Sequence, residues 1–339
     1  MNLKARITRT GAVLLGKYVA CDGFDEQQPI RVVTHVHADH MLGLRESLKK
    51  CEMVLMSEAT KDLIDVLKSP LFLMAGNVKT LPYEEPFEYK NEKITFYPAD
   101  HILGSTQVLV EDQEGERILY TSDFRLPNTP IIRSDILVIE ATYGSPRCVR
   151  NFEQKAESVL VDLVDRGLCE GPVYLFGYHG KIQEVMEILW KNNIRVPFIV
   201  PEKIFHVCKV YEKHNKKLGR YWLARSEYAK ELRSKKEPFV AFYHMAARRR
   251  FIKEKAYKIF VSGWQFQEPV RQVNEKGFVI AISDHSDFEG LIEYVRKSKP
   301  KLVLTDNYRI GHAKILAKEI EKRLGIKAIA VPPTKPKKK

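Results

Sequence analysis

The stretch "THVHADH", residues 34–40, puts three histidines and an aspartate into seven positions of a 339-residue chain that has only ten histidines. The run before it, "PIRVV" (29–33), is apolar and β-branched and predicts a buried strand. The run after it, "MLGLRESLKK" (41–50), predicts the start of a helix. The cluster therefore falls on a strand-to-helix turn, where open α/β sheets carry their chemistry. His35 and His37 alternate along an extended backbone, so their side chains point the same way. Asp39 and His40 follow where the chain turns and can face the same point from another side. Imidazole nitrogens and carboxylate oxygens together suit zinc or a similar first-row ion.

Three distant stretches repeat the pattern. "YPADHILGS" (97–105) places His101 at the end of a strand, before a glycine turn. "LYTSDF" (119–124) places Asp123 in the same kind of position, and "AISDHSD" (281–287) does so for His285. A single histidine at a strand end is more often a hydrogen-bonded loop residue than a ligand. Four stretches that each put a ligand type at a carboxyl edge point to one metal site.

The bulk properties narrow the class. The length exceeds one average domain and allows a full core, or two. Hydrophobic residues make up 44% of the chain, but no apolar run is long enough to span a bilayer. The apolar part of the N-terminus is broken by Gly16, Lys17 and Asp22, unlike a secretory signal. The five cysteines are odd in number, widely spaced and without a CxxC pair, which argues against a disulfide framework and for a cytoplasmic, reducing location. The net charge is +13, and it is concentrated: residues 201–260 hold 17 Lys and Arg against 6 Asp and Glu, and the chain ends in "KPKKK". Such asymmetry suits a polyanionic partner, although a lysine-rich surface alone also gives it.

Along the chain the texture changes at "GSPR" (144–147). Before it, short strands such as "AVLLGKYVACD", "MVLMS", "ITFYPADH", "QVLVEDQ" and "ILVIEATYG" alternate with turns, and "EATKDLIDVLK" reads as a helix. After it, "NFEQKAESVLVDLVDRGLCEG" reads as an amphipathic helix, followed by βαβ-like segments that carry the basic excess. From about 276, "GFVIAISDHSD" returns to the earlier style. The layout predicts one domain, residues 1–148 and 276–330, interrupted by a second at 149–275, with a basic flexible tail at 331–339.

The HxHxDH cluster, the strand-end histidine and the "SDF" stretch together resemble the metallo-β-lactamase fold. "IEATYGSP", "SDHSD" and the interrupted layout resemble its β-CASP nucleases over nearly the whole chain. Within that group, "THVHADH", "YTSDFR", "ATYGSP", "YHGK" and "KPKLVLTDN" are most similar to the Artemis- and Apollo-type DNA crosslink-repair and end-processing enzymes. The resemblance implies a four-layered αββα domain with an inserted α/β β-CASP domain that clamps nucleic acid. It also implies two divalent ions, zinc before manganese. His35, His37 and His101 would hold the first, Asp39, His40 and His285 the second, and Asp123 would bridge them. Asp39 and Glu140 are the carboxylates it assigns to catalysis: Asp39 would orient the nucleophile or take its proton, and Glu140 would hydrogen-bond a ligand histidine. The implied activity is that of a two-metal phosphodiesterase, a 5′-to-3′ exonuclease on single-stranded DNA.

The remaining candidates are less distinctive. Asp306 in "LTDN" stands where RNA-cutting relatives have histidine and DNA-cutting ones valine, and His312 lies six residues on. In "GYHGK" (177–181), Tyr178 and Lys181 sit at a strand-to-helix turn that favours phosphate, though any βα turn looks similar. Trp264 in "SGW" could stack on a base or fill a core, and Arg248, Arg249 and Arg250 form a stripe for a phosphate backbone or a solvated face. No RNA-binding module is evident, so DNA is favoured over RNA. Three alternatives stay open: an RNA-processing β-CASP ribonuclease, a small-molecule hydrolase on the same fold, and a nucleic-acid-binding relative without metals. A membrane partner is not expected, and the sequence names no protein partner.

Overall fold

The computed structural model describes residues 4–68, 74, 76–252 and 255–334. It divides into two units, Met1–Val149 with His285–Lys339, and Arg150–Asp284.

The first unit is built on two sheets. One runs in sequence order: β1 (Ala5–Ile7), β2 (Val13–Leu15), β3 (Val19–Cys21), β4 (Ile30–Val32), β5 (Met53–Met56) and β6 (Val78–Thr80). In it β2 runs antiparallel to both β1 and β3, and β3 to β6 are parallel. The other contains β7 (Pro86–Tyr89), β8 (Glu92–Pro98), β9 (Thr106–Glu111), β10 (Arg117–Tyr120), β11 (Ile136–Ile139), β19 (Leu302–Asp306) and β20 (Lys327–Val331). Its order is β20-β19-β11-β10-β9-β8-β7, parallel from β20 to β10 and antiparallel beyond.

The period-2 alternation of strands explains how the second sheet is buried on both faces. Val108, Val110, Ile118, Tyr120 and Val138 share one core with Val13, Leu15, Ile30, Val32 and Leu55 of the first sheet. The intervening Leu109, Leu119, Leu137 and Ile139 face the other way, onto helices α7 (Phe288–Ser298) and α8 (Ala313–Leu324). Helices α1 (Leu44–Lys50) and α2 (Glu58–Leu67) follow β4 and β5.

The second unit is a seven-stranded sheet of order β14-β13-β15-β12-β16-β18-β17. Its strands are β12 (Val173–Gly177), β13 (Phe198–Val200), β14 (Tyr221–Leu223), β15 (Val240–His244), β16 (Tyr257–Val261), β17 (Val270–Asn274) and β18 (Gly277–Ile280). All pairs are parallel except β17 with β18. Helices α3 (Glu153–Glu170), α4 (Lys181–Lys191), α5 (Glu202–Lys213) and α6 (Glu227–Lys235) connect them.

Three local expectations change. "AVLLGKYVACD" is a hairpin of two strands, because Gly16 turns the chain at φ 59° and Lys17 donates its backbone N–H to Glu92 Oε1 at 2.7 Å. The strand Gly277–Ile280, expected to open the return of the first domain, instead pairs with β16 and β17. The chain therefore re-enters the first unit after Asp284, not after Glu275. The expected tail begins ordered: Val331 pairs with Asp306 in the sheet, and the Pro332 carbonyl accepts from Asn307 Nδ2 at 2.7 Å. Residues 335–339 lie outside the described residues.

Candidate metal centre

His35 and His37 leave the carboxyl end of β4, His101 follows β8, and Asp123 follows β10. These four side chains, from both sheets of the first unit, bring one donor atom each to within 4.8 Å of one another. His37 Nδ1 lies 3.2 Å from His35 Nε2 and 3.0 Å from His101 Nε2. Asp123 Oδ2 lies 3.8 Å from His35 Nε2 and 3.7 Å from His101 Nε2. Four donors about 2.1 Å from a tetrahedral ion stand about 3.4 Å apart, so the spacing fits a first-row dication.

The residues behind these donors explain their aim. The loop carrying the cluster is tied down by Arg31, fully buried, whose Nη2 and Nη1 donate to the carbonyls of His40 at 2.9 Å and Leu42 at 3.1 Å. Ser122 takes a left-handed backbone, φ 54°, a conformation a side chain adopts only where its surroundings hold it. Its hydroxyl donates to Thr34 Oγ1 at 2.7 Å, and Thr34 donates in turn to Asp22 Oδ2 at 2.7 Å. Asp22, fully buried, also accepts from the Thr34 backbone N–H at 2.9 Å and meets His40 Nδ1 at 2.8 Å. His35 Nδ1 rests against the same two hydroxyls, at 3.2 and 3.3 Å, which leaves its Nε2 turned to the cluster.

His285, just before α7, joins the group: its ring centroid is 4.7 Å from that of His101. Glu140 meets His285 Nδ1 at 3.0 Å and accepts the Phe124 backbone N–H at 3.0 Å. Asp123, Glu140 and His285 form a second set of donors within 4.8 Å. A carboxylate on Nδ1–H fixes the tautomer and makes Nε2 the nitrogen that carries the lone pair.

Electrostatics set the protonation states. Burial would raise the Asp123 carboxyl, but His40, His285 and His101 outweigh it and hold it well below the usual range. Burial, with His40, His101 and His37 around it, pushes His35 well below the ordinary histidine range, so it stays neutral and able to ligate. His40 is contested. Burial and Arg309 lower its pKa, while Asp123, Asp22 and Asp39 raise it to about 10. Yet Arg309 Nε donates to His40 Nε2 at 3.1 Å, which requires a bare lone pair there. The same nitrogen of His40 lies 3.2 Å from Asp123 Oδ2, so the outer face of the ring meets a guanidinium and a carboxylate together, while Nδ1 faces Asp22.

Here the structure departs from the expected ligand set. The Asp39 carboxylate is 57% exposed and 3.8 Å from His40 Nε2, and belongs to none of the donor groups among the described residues. Asp306 faces Arg309, not an ion: its Oδ2 accepts from Arg309 Nη1 at 2.6 Å, and its Oδ1 from the backbone N–H groups of Tyr308 and Arg309. His312 stands at the N-cap position of α8 and joins no donor group among the described residues. Asp22, Thr34, Ser122, Arg31 and Arg309 were not singled out in the sequence. Only Asp22, a polar residue before glycine at a strand end, carried a signal of the same kind as the ligands.

The substrate candidates lie in the second unit. Tyr178 is 52% exposed after β12, its ring 5.2 Å from that of His244. Arg248, Arg249 and Arg250 are exposed on a short 3-10 turn, Met245–Phe251, that follows β15, and Trp264, 50% exposed, follows β16. Since β12, β15 and β16 are parallel, all of these stand at one carboxyl edge of the sheet. Lys181 does not join them: it is mostly buried and ion-paired with Asp284, which corrects its expected role in holding phosphate.

Compared with known proteins, the chain is 41% identical over 136 residues to an uncharacterized protein in the lig 3′ region of Acidianus ambivalens, covering 40% of this chain and 97% of that one. It is 29% identical over 212 residues to an RNase J-like protein of Methanocaldococcus jannaschii, 53% of this chain and 49% of that one. It is 25% identical over 317 residues to a probable DNA ligase of Opitutus terrae, 88% of this chain and 28% of the ligase. Further relatives include cleavage and polyadenylation specificity factor subunit 3 of Dictyostelium discoideum, 27% identical over 48% of this chain and 25% of that one. The chain thus spans about half or less of the relatives whose names state an activity. A protein of unknown function from Enterococcus faecalis has the same fold, with a TM-score of 0.61 at 15% identity over 92% of this chain and 82% of that one. No family model matches the chain.

Proposed function

We propose that the chain is a β-CASP nuclease of the metallo-β-lactamase fold, a reading supported by its RNase J-like, cleavage and polyadenylation factor and endoribonuclease relatives, and that it hydrolyses phosphodiester bonds of single-stranded DNA from the 5′ end, as an Artemis- or Apollo-like enzyme. The observation that carries this reading is the convergence of His35, His37, His101 and Asp123 at tetrahedral spacing. A divalent ion held there, zinc before manganese, supplies a Lewis acid for the phosphate and lowers the pKa of water towards neutrality. His285, oriented by Glu140, stands beside the cluster as a further donor. The αββα layering of the first unit and the clamping role of the second are part of the same reading. In the second unit, Arg248, Arg249 and Arg250 would track the phosphates, while Tyr178 and Trp264 offer aromatic faces to bases.

DNA is favoured by the match of 88% of this chain to part of a probable DNA ligase, and by the lig-region description of the Acidianus protein. RNA is the second reading, because other relatives are named as ribonucleases. Matched single strands of DNA and RNA, labelled at either end and incubated with zinc or manganese, separate the two. His37→Ala is the control. The expected result is metal-dependent release of mononucleotides from the 5′ label of DNA, lost in the variant. Preferential loss of RNA moves the chain to the RNA-processing branch, and no cleavage of either strand overturns the nuclease reading.

A further inference from the structure

We infer that this chain binds a single divalent ion, at His35, His37, His101 and Asp123, and that the guanidinium of Arg309 takes the place beside His40 where a two-ion site would hold its second. The inference rests on the metal-dependent reading above and specifies its site.

Three features carry it. The first is the ligand atom. Arg309 Nε donates to His40 Nε2 at 3.1 Å, so an ion about 2.1 Å out along that lone pair would overlap the guanidinium. The second is how the guanidinium is held. Arg309 is buried; its Nη1 donates to Asp306 Oδ2 at 2.6 Å, and its Nη2 to the carbonyls of Asp39 at 3.2 Å and Gly11 at 3.5 Å. Asp306 is buried as well, so withdrawing Arg309 would strand a carboxylate in the interior. The third is Asp39. Its carboxylate, the other expected ligand, is turned towards solvent, and its carbonyl, not its side chain, engages Arg309.

Arg309 is then a positioning residue. It fixes the outer nitrogen of His40 3.2 Å from Asp123 Oδ2 and puts fixed positive charge next to the ion-binding carboxylate. A dication at the same place would be both sterically excluded and repelled.

The test is the number of ions per chain. Full-length protein is saturated with zinc, and separately with manganese, freed of excess by gel filtration, and measured by inductively coupled plasma mass spectrometry. The expected result is one ion per wild-type chain, and none in His37→Ala. Arg309→Gln combined with Asp306→Asn removes both charges at nearly constant shape, and is expected to raise the count to two. Two ions per wild-type chain would overturn the inference and leave the nuclease reading standing. No ion in the wild type would overturn both. A folded double variant that stays at one would remove Arg309 as the cause. The wild-type count decides even if the double variant does not fold.

Discussion

Replacing Asp22 by alanine tests whether the carboxylate behind the site is what holds the cluster together. Asp22 is fully buried and meets three donors: the Thr34 backbone N–H at 2.9 Å, the Thr34 hydroxyl at 2.7 Å and His40 Nδ1 at 2.8 Å. Hydrogen bonds to a charged acceptor contribute about 1.5–3 kcal/mol each, and the alanine strands all three donors. Their sum overestimates the loss, because the loop relaxes and water enters. Breaking a buried charged network at one partner costs about 3–5 kcal/mol, so about 4 kcal/mol is expected. For a unit of about 200 residues that corresponds to a fall in Tm of about 8–16 °C. Asp22→Asn should lose about half as much, since Oδ1 can still accept from Thr34. Its amide would press a donor on His40 Nδ1, and drive the ring to the tautomer that cannot accept from Arg309.

The assay is thermal and urea unfolding in chelator, followed by far-UV circular dichroism. Tryptophan fluorescence serves as a reference trace, because Trp190, Trp222 and Trp264 all lie in the second unit. The pH dependence has a fixed sign. Burial would raise the Asp22 carboxyl, but His40, Arg309 and Arg31 outweigh it and its pKa is lowered. Its contribution is therefore fully present above the unfolded pKa of about 3.9, and is lost as pH falls through the lower folded value. The gap between wild type and Asp22→Ala should be flat from pH 7 to 5 and close only below about pH 4. A loss under about 1 kcal/mol at pH 7, or a gap already closing at pH 6, would refute the reasoning.

Two further outcomes are expected. Glu140→Gln leaves one side-chain oxygen for two donors, His285 Nδ1–H and the Phe124 N–H, and should lower metal affinity or activity by about 10–100-fold with the fold intact by circular dichroism. Replacing Arg248, Arg249 and Arg250 together by glutamine should weaken binding to single strands and reduce the slope of log K against log salt by about 2. An unchanged slope would place the phosphate track elsewhere.

The donor half of the site was legible because a site able to hold an ion demands residue types that seldom gather by chance, and strand ends are where a sheet can aim them. Asp123 and His285, far from the opening cluster, announced themselves in that way. The supporting half was not legible. Asp22 precedes the cluster by twelve positions, and alone reads as a polar break in an apolar run. Lys181 looked like a phosphate ligand because its partner, Asp284, is 103 residues away, and no local pattern encodes that pairing. The same limit misplaced β18: "GFVIAISDHSD" has the texture of either unit, and only its pairing with β16 assigns its strand to the second. Asp306 stands where a ligand histidine would be expected in RNA-cutting relatives and His312 lies close enough to replace it, whereas Arg309 between them, a lone arginine, carries no metal signal.

The charge around His40 shows why that arginine matters. Among the described residues of the first unit, the buried acidic and basic groups at the site are four carboxyl groups, Asp22, Asp123, Glu140 and Asp306, and two guanidinium groups, Arg31 and Arg309, while Asp284 of the second unit is paired with Lys181. A histidine has to be neutral to ligate, and burial holds His35 in that form. The surplus is two negative charges, which one divalent ion cancels. A second would leave the interior two units positive, with only the half-exposed and solvent-screened Asp39 to answer it. Uncompensated charge in a buried site is expensive, so a second ion has to bring an anion or recruit Asp39; the charge balance favours one ion but does not forbid two, and the blocked lone pair is what decides. Removing the charges of Arg309 and Asp306 together leaves that surplus unchanged, and so opens His40 Nε2 without altering the demand for positive charge. A second ion taken up by the double variant would therefore report the guanidinium's obstruction and not a change in the field.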